Sequence, residues 1–210
     1  MDNIIENQTI NHTENIRRGR ILEYFAIGWN SIEAFVAIGA GLFAGSTSLI
    51  GFGVDSLIES SSGLTLLWRL QEGEKGEERE KFALKLVGLS LLLLAGYILF
   101  DAGKSLIYSE SPRVSFIGIG LAFLSVIIMP ILASAKRKVA ENLNSKAMKA
   151  DSRQTDICAY LSAILLVGLG LNALFGWWWA DSAAALLMIP IVLKEAFEAL
   201  RGESCGDCHC

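Results

Sequence analysis

The sequence predicts an all-α, polytopic membrane protein with six transmembrane helices, and three observations carry that prediction. Of 210 residues 52% are hydrophobic and only 19% charged, and mean hydropathy is +0.45, whereas a soluble domain carries about 25% charged residues. A window of about 20 apolar residues finds spans at 21–43, 46–68, 84–107, 114–135, 155–176 and 179–200. The charges, finally, are segregated into alternate connections. A formal net charge of −4 with no basic face argues against nucleic acid as a partner.

Residues 1–20 are polar and end in Arg17, Arg18 and Arg20. No short apolar core with a small-residue cleavage site follows them, so they read as a cytoplasmic N-terminal segment and not as a signal peptide. The sequons at Asn7 and Asn11 are then unused, because a cytoplasmic terminus does not meet the glycosylation machinery. Residues 21–201 form the six-helix domain and 202–210 a Cys/His-rich cytoplasmic tail. Three basic residues precede the first span, 5 and 6 lie in the stretches Arg69 to Lys85 and Lys136 to Arg153, and 2 follow Pro190. That places 16 of 18 on one side, leaving Lys104 and Arg113 opposite. The positive-inside rule then sets both termini in the cytoplasm of a multi-pass cell-membrane protein, with Trp177, Trp178 and Trp179 at the outer interface.

The second span holds the most informative pair, Asp55 and Glu59. Spacing of i,i+4 puts both on one helical face, and a carboxylate in hydrocarbon costs about 2.5 kcal/mol or more, so retaining two calls for a function. Two oxygen donors at membrane depth suggest a cation site. In the first span Asn30 and Glu33 share a face, either supporting that site or holding helices together by hydrogen bonds; Gly39 and Gly41 allow close packing. Asp101 and Lys104 in the third span read as an i,i+3 ion pair. Pro130 and Pro190 break the backbone ladder late in the fourth and sixth spans, as hinges or as simple kinks.

Around the fifth span Gln154 and Cys158 share a face, as do Asp151 and Ser162 approximately, while Asp156 falls about 160° from Cys158. Glu59 and Cys158 each lie 14 residues from an outer boundary, at Gly45 and Asn172. Both are thus roughly 21 Å deep at 1.5 Å per residue, and the two faces can meet.

The run LNSKAMKADSRQTDICAYLS, Leu143 to Ser162, resembles the fifth-helix entry of the cation diffusion facilitators. There a Ser, an Ala-Asp pair, a His-x-x-x-Asp site and a further Ser recur at these spacings. VDSLIESSSGL in the second span is similar to that family's paired-carboxylate helix, and WWWADSAAALLMIPIVL to its sixth-helix start, with Ser182 where proline is usual. The resemblance covers all six spans in order. It implies a metal site of Asp55, Glu59, Gln154 and Cys158, with Asn30, Glu33, Asp151 and Asp156 as candidate supporting residues. Gln154 stands in place of histidine and Cys158 in place of aspartate. A thiolate favours zinc or cadmium over magnesium or calcium. An alternative alignment with a gap uses Asp156 and Ser152, and Cys158 and Gln154 also have plain readings, as a small buried hydrophobe and an interhelical hydrogen-bonder.

The family usually carries a cytoplasmic domain after the sixth span, where this sequence has about ten residues, so the resemblance concerns the transmembrane domain. The tail RGESCGDCHC packs Cys205, Cys208, His209 and Cys210 into six residues, a short metal-binding loop by composition. Its competitors are c-type haem attachment through C-x-x-C-H, opposed by the expected cytoplasmic side, and an unused solvated tail. A disulfide is not expected in a reducing compartment. What the resemblance implies is efflux of Zn2+ or Cd2+ by alternating access, coupled to protons, by a homodimer in the bilayer. No catalytic residue and no resident cofactor are expected. The alternatives are a membrane metal sensor or interaction protein that does not transport, and an acid-driven carrier of an organic cation.

Overall fold

The computed structural model describes residues 2–72, 77–109 and 112–201. They form six α-helices: α1 Asp2–Ala44, α2 Thr47–Glu72, α3 Glu77–Tyr108, α4 Phe116–Leu143, α5 Lys146–Phe175 and α6 Trp179–Arg201. Short connections make consecutive helices antiparallel, so α2, α4 and α6 all run one way. Gly45 and Gly176 turn two of these corners with φ of +67° and +66°, a region that glycine enters without steric cost. Ser115 and Ser145 cap α4 and α5, accepting from the backbone N–H of Gly118 (3.1 Å) and Met148 (3.3 Å). Such caps satisfy N–H groups that the first helical turn leaves without partners.

Each of the six spans corresponds to one helix, but the helices outrun the spans on the side that carries the basic residues. The stretches Arg69 to Lys85 and Lys136 to Arg153 are therefore mostly helix, not loop, and α1 begins well inside the segment expected to precede the first span. The reason is that charge ends an apolar window without ending a helix: Lys, Arg and Glu are good helix formers. Pro130 and Pro190 lie inside α4 and α6, which continue through them. Among the described residues, four stretches are long and apolar enough to cross a bilayer, Thr13–Ala44, Leu91–Tyr108, Phe116–Leu143 and Asp151–Phe175. The remaining helices are α2 and α6, and α2 carries the acid pair.

Helices α1, α2, α4 and α5 form one group, in which α1 packs on α2, α4 on α5, α1 on α4 and α2 on α5. A second unit is the pair α3 and α6, joined to the first through α5 and α2. Two apolar cores follow this division. Ala26, Ala37, Phe52, Met129, Leu161 and Leu165 fill the first, and Ile58, Leu91, Ile98, Ala185, Val192 and Ala196 the second. Close approach depends on small residues. A Cβ on Gly53 would stand 2.9 Å from the backbone nitrogen of Ile38, and one on Gly168 2.5 Å from the Cβ of Ala184. Of the two α1 glycines expected to allow packing only Gly41 does so, 3.0 Å from the Ile50 nitrogen, while Gly39 faces open space.

Polarity is inverted relative to a soluble bundle. Phe35, Phe43, Phe100, Ile107, Phe116 and Leu174 point outward, whereas Glu23, Asn30, Glu33, Asp55, Glu59, Lys136 and Asp151 are buried. Lipid tails solvate the former at no cost, and charges in a membrane protein face the bundle interior. The chain is an all-α, polytopic membrane protein.

Candidate metal site

Contacts fix how the four-helix group is layered. Across α4 and α5, Lys136 meets Asp151 and Ser125 meets Ser162, pairs whose residue numbers both sum to 287, as expected for antiparallel helices in constant register. The lowest layer, toward the basic ends, is an ion triad. Lys136 Nζ donates to Asp151 Oδ2 of α5 at 2.5 Å and to Glu23 Oε2 of α1 at 3.1 Å. The lysine and Glu23 are 1% and 0% exposed. One turn further along α5, Thr155 Oγ1 donates to Glu59 Oε1 of α2 at 2.9 Å and to the Asp151 carbonyl at 3.2 Å. The next turn brings Cys158, whose thiol lies against the Glu59 carboxylate. Above it, Ser162 Oγ donates to Ser125 Oγ at 2.9 Å, and Glu33 accepts from Trp29 Nε1 at 2.5 Å and from Ser56 Oγ at 3.4 Å.

The sequence reason is a single helical face. Asp151, Thr155, Cys158 and Ser162 follow one another at i, i+4, i+7 and i+11, a repeat that keeps one stripe of α5 turned toward α2 and α4. Asp55, Ser56, Glu59 and Ser60 do the same on α2. Asp55 and Glu59 are 5% and 3% exposed; Glu59 and Glu33 are the charged neighbours of Asp55, and Lys136 and Asp151 those of Glu59. Among the described residues seven charged side chains are buried, six acids and one base. Glu59 Oε2 and both polar atoms of the Asn30 amide are buried with no hydrogen-bond partner. Unpaired polar atoms at this depth cost about 1–3 kcal/mol each, a debt that a bound cation offsets for the carboxylate.

The expected residues are therefore distributed as follows. Asp55, Glu59 and Cys158 are buried at the α2–α5 contact. Gln154 is half-buried, and it is Thr155, not singled out in the sequence, that reaches Glu59. Its signal was present in the spacing, three residues before Cys158 and four after Asp151. Glu33 and Asn30 sit inside the bundle, Glu33 bonded to α2 and Asn30 unpaired. Asp151 belongs to the ion triad and supports the site only through its carbonyl on Thr155. Asp156, a candidate supporting residue, instead pairs with Arg137 at the partly exposed rim. Asp101 accepts from Thr47 at 2.6 Å. Cys205, Cys208, His209 and Cys210 lie outside the described residues. Among those residues, no three His, Cys, Asp or Glu side chains converge closely enough to hold an ion between them.

A bundle with apolar residues facing outward around a buried acid pair is the architecture of a polytopic membrane protein that keeps its ionisable groups inside. Residues 24–203 match the cation efflux transmembrane domain, so the chain belongs to the cation efflux family. It is 31% identical over 112 residues to an uncharacterized transporter of Methanocaldococcus jannaschii, covering 53% of this chain and 39% of that protein. It is 24% identical to the cation-efflux pump FieF of Salmonella typhi, over 87% of this chain and 63% of that protein. With the cadmium, cobalt and zinc/H(+)-K(+) antiporter of Bacillus velezensis it shares 26% identity over 90% of its own length and 64% of the other's. The chain thus spans less than two thirds of each of these relatives.

Proposed function

We propose that this chain carries a divalent transition-metal ion, Zn2+ or Cd2+, out of the cytoplasm in exchange for protons. The observation that carries the reading is the Asp55–Glu59 pair, buried where α2 meets α5 with Glu59 Oε2 unpaired. Membership of the cation efflux family supports the transport class, and the Bacillus velezensis relative, a cadmium, cobalt and zinc antiporter, supports soft and borderline divalent ions. The Cys158 thiol beside Glu59 points the same way, because sulfur discriminates against Mg2+ and Ca2+. In this reading Asp55, Glu59 and Cys158 are the ligands, which stand apart in this structure and draw together when the ion binds, with Gln154 on the same helix as Cys158 and Asn30 and Glu33 of α1 as supporting residues. Both termini face the cytoplasm, the side to which 16 of the 18 basic residues fall. The working unit is a homodimer, as the family implies.

Alternating access lets the pair face the two sides in turn, by rocking of one helix group against another around a site near mid-membrane. Without a histidine in any span, a carboxylate of the pair accepts the exchanged proton. Purified protein in liposomes tests this. Zn2+ and Cd2+ flux driven by a pH gradient is the expected result, falling to background in Asp55→Asn and in Glu59→Gln although both variants still insert. Wild-type flux in both variants overturns the site, and metal binding without any flux favours a sensor.

A further inference from the structure

Helix α6 carries a carboxylate that neither the span pattern nor the family resemblance marks, Glu195. Its Oε2 is buried and accepts no hydrogen bond. The parallel helices α2 and α6 are locked in register at their outer ends: Asp181 Oδ1 accepts from Ser46 Oγ at 2.5 Å and from Ser48 Oγ, so positions 133 to 135 residues apart are level. Applying that offset, Glu195 is level with residues 60 to 62 of α2, about 3 Å along the axis from Glu59.

Azimuth agrees with height. At 100° per residue Glu195 falls within about 40° of Asp181, the residue known to face α2. On α2, Asp55 and Glu59 fall about 20° to either side of Ser48, the residue known to face α6. Two lines of side chains therefore look at each other, joined at the top by Asp181 and carrying three carboxylates below. Ile58 shares an apolar cluster with Val192 and Ala196, which places the same stretches of the two helices side by side. Asp55 and Glu59 are also the leading charged neighbours of Glu195.

We infer that Glu195 of α6 is a third carboxylate that faces Asp55 and Glu59 at their level and strengthens the cation site by its charge, although the three do not close around a common point in this structure. This rests on the proposed metal site and deepens it. Where the resemblance expects a histidine and an aspartate on α5, this chain has Gln154 and Cys158, and the missing anionic oxygen is supplied from another helix. Three like charges at one level repel one another, and a divalent cation offsets that repulsion; Glu195 thus raises affinity without needing to pack against the pair.

The test is equilibrium binding of Zn2+ and of Cd2+ to the full chain in detergent micelles, alongside flux in liposomes. Glu195→Gln keeps size and polarity and is expected to weaken binding roughly 10- to 100-fold, the range found when groups supporting a metal site are removed. Glu195→Asp keeps most of the affinity, and Glu195→Gln combined with Cys158→Asp recovers it by returning the carboxylate to α5. Should Glu195→Gln misfold, the Asp variant and the recovery by Cys158→Asp in that background still decide the matter. Wild-type affinity in Glu195→Gln, while Asp55→Asn loses binding, overturns the role of Glu195 and leaves the two-carboxylate site standing. Wild-type affinity in both variants overturns the site itself.

Discussion

Two acidic clusters lie buried in one bundle and differ in a single respect. Glu23 and Asp151, near the basic ends, enclose Lys136, which donates to both. Asp55 and Glu59, deeper in the bundle and on α2, have no lysine or arginine bonded to them, only the Thr155 hydroxyl and the Cys158 thiol on Glu59. Burial of carboxylates is costly in both places. In the first the protein supplies the compensating cation, and it ties α1, α4 and α5 together. In the second no base is bonded to either acid, although Lys136 lies near Glu59, and in the proposed function a metal ion or a proton completes the compensation. The contrast shows why counting intramembrane acids does not by itself single out the proposed site: its acids, unlike Glu23 and Asp151, have no base bonded to them.

Removing the tethered cation has the largest expected effect. Lys136→Met leaves two carboxylates buried without a partner, a change that costs about 3–5 kcal/mol in proteins. The expected outcome is a protein that inserts poorly or unfolds at much lower denaturant in micelles. Neutralising its partners as well, with Glu23→Gln and Asp151→Asn in the same chain, recovers most of that loss. Asp55→Asn shows the opposite sign, since it relieves repulsion, and its unfolding midpoint should be equal to or above wild type.

A smaller effect is expected at the link between the clusters. Thr155→Val is nearly isosteric but loses the 2.9 Å bond to Glu59, and metal affinity should fall about tenfold, equivalent to 1.4 kcal/mol. The least effect belongs to Asp156→Asn, on the partly exposed face of α5. Its partner Arg137 is 46% exposed, and such rim pairs contribute about 0–1 kcal/mol, so flux and stability should both stay near wild type. Loss of flux in Asp156→Asn would instead favour the gapped alignment of the fifth helix.

The six helices were legible because twenty apolar residues have few other uses, and Asp55 with Glu59 because charge inside such a run stands out. Depth counting also brought Glu59 and Cys158 to one level, where the structure has them in contact. What remained hidden lay where apolar runs end. Lys136 reads as the first basic residue of a loop, yet it is 1% exposed, because its two partners come from α1 and from the far side of the α4–α5 turn. Glu195 stands beside Lys194 and one turn before Glu198, so it reads as surface charge; only the register of α6 on α2 brings it level with Glu59. Thr155 was hidden between more conspicuous neighbours, its hydroxyl having no marked signature of its own.

In the proposed function the Asp55–Glu59 pair, and not the lysine-filled Glu23–Asp151 pair, binds the cation. Titration of Cd2+ into micellar protein decides it, comparing wild type with Asp55→Asn plus Glu59→Gln and with Glu23→Gln plus Asp151→Asn, each in a chain with residues 203–210 deleted so that tail cysteines do not contribute. The account predicts one bound ion per chain in wild type and in the Glu23–Asp151 variant, and none in the Asp55–Glu59 variant. Retention of the ion by the Asp55–Glu59 variant, with its loss from the other, would contradict it.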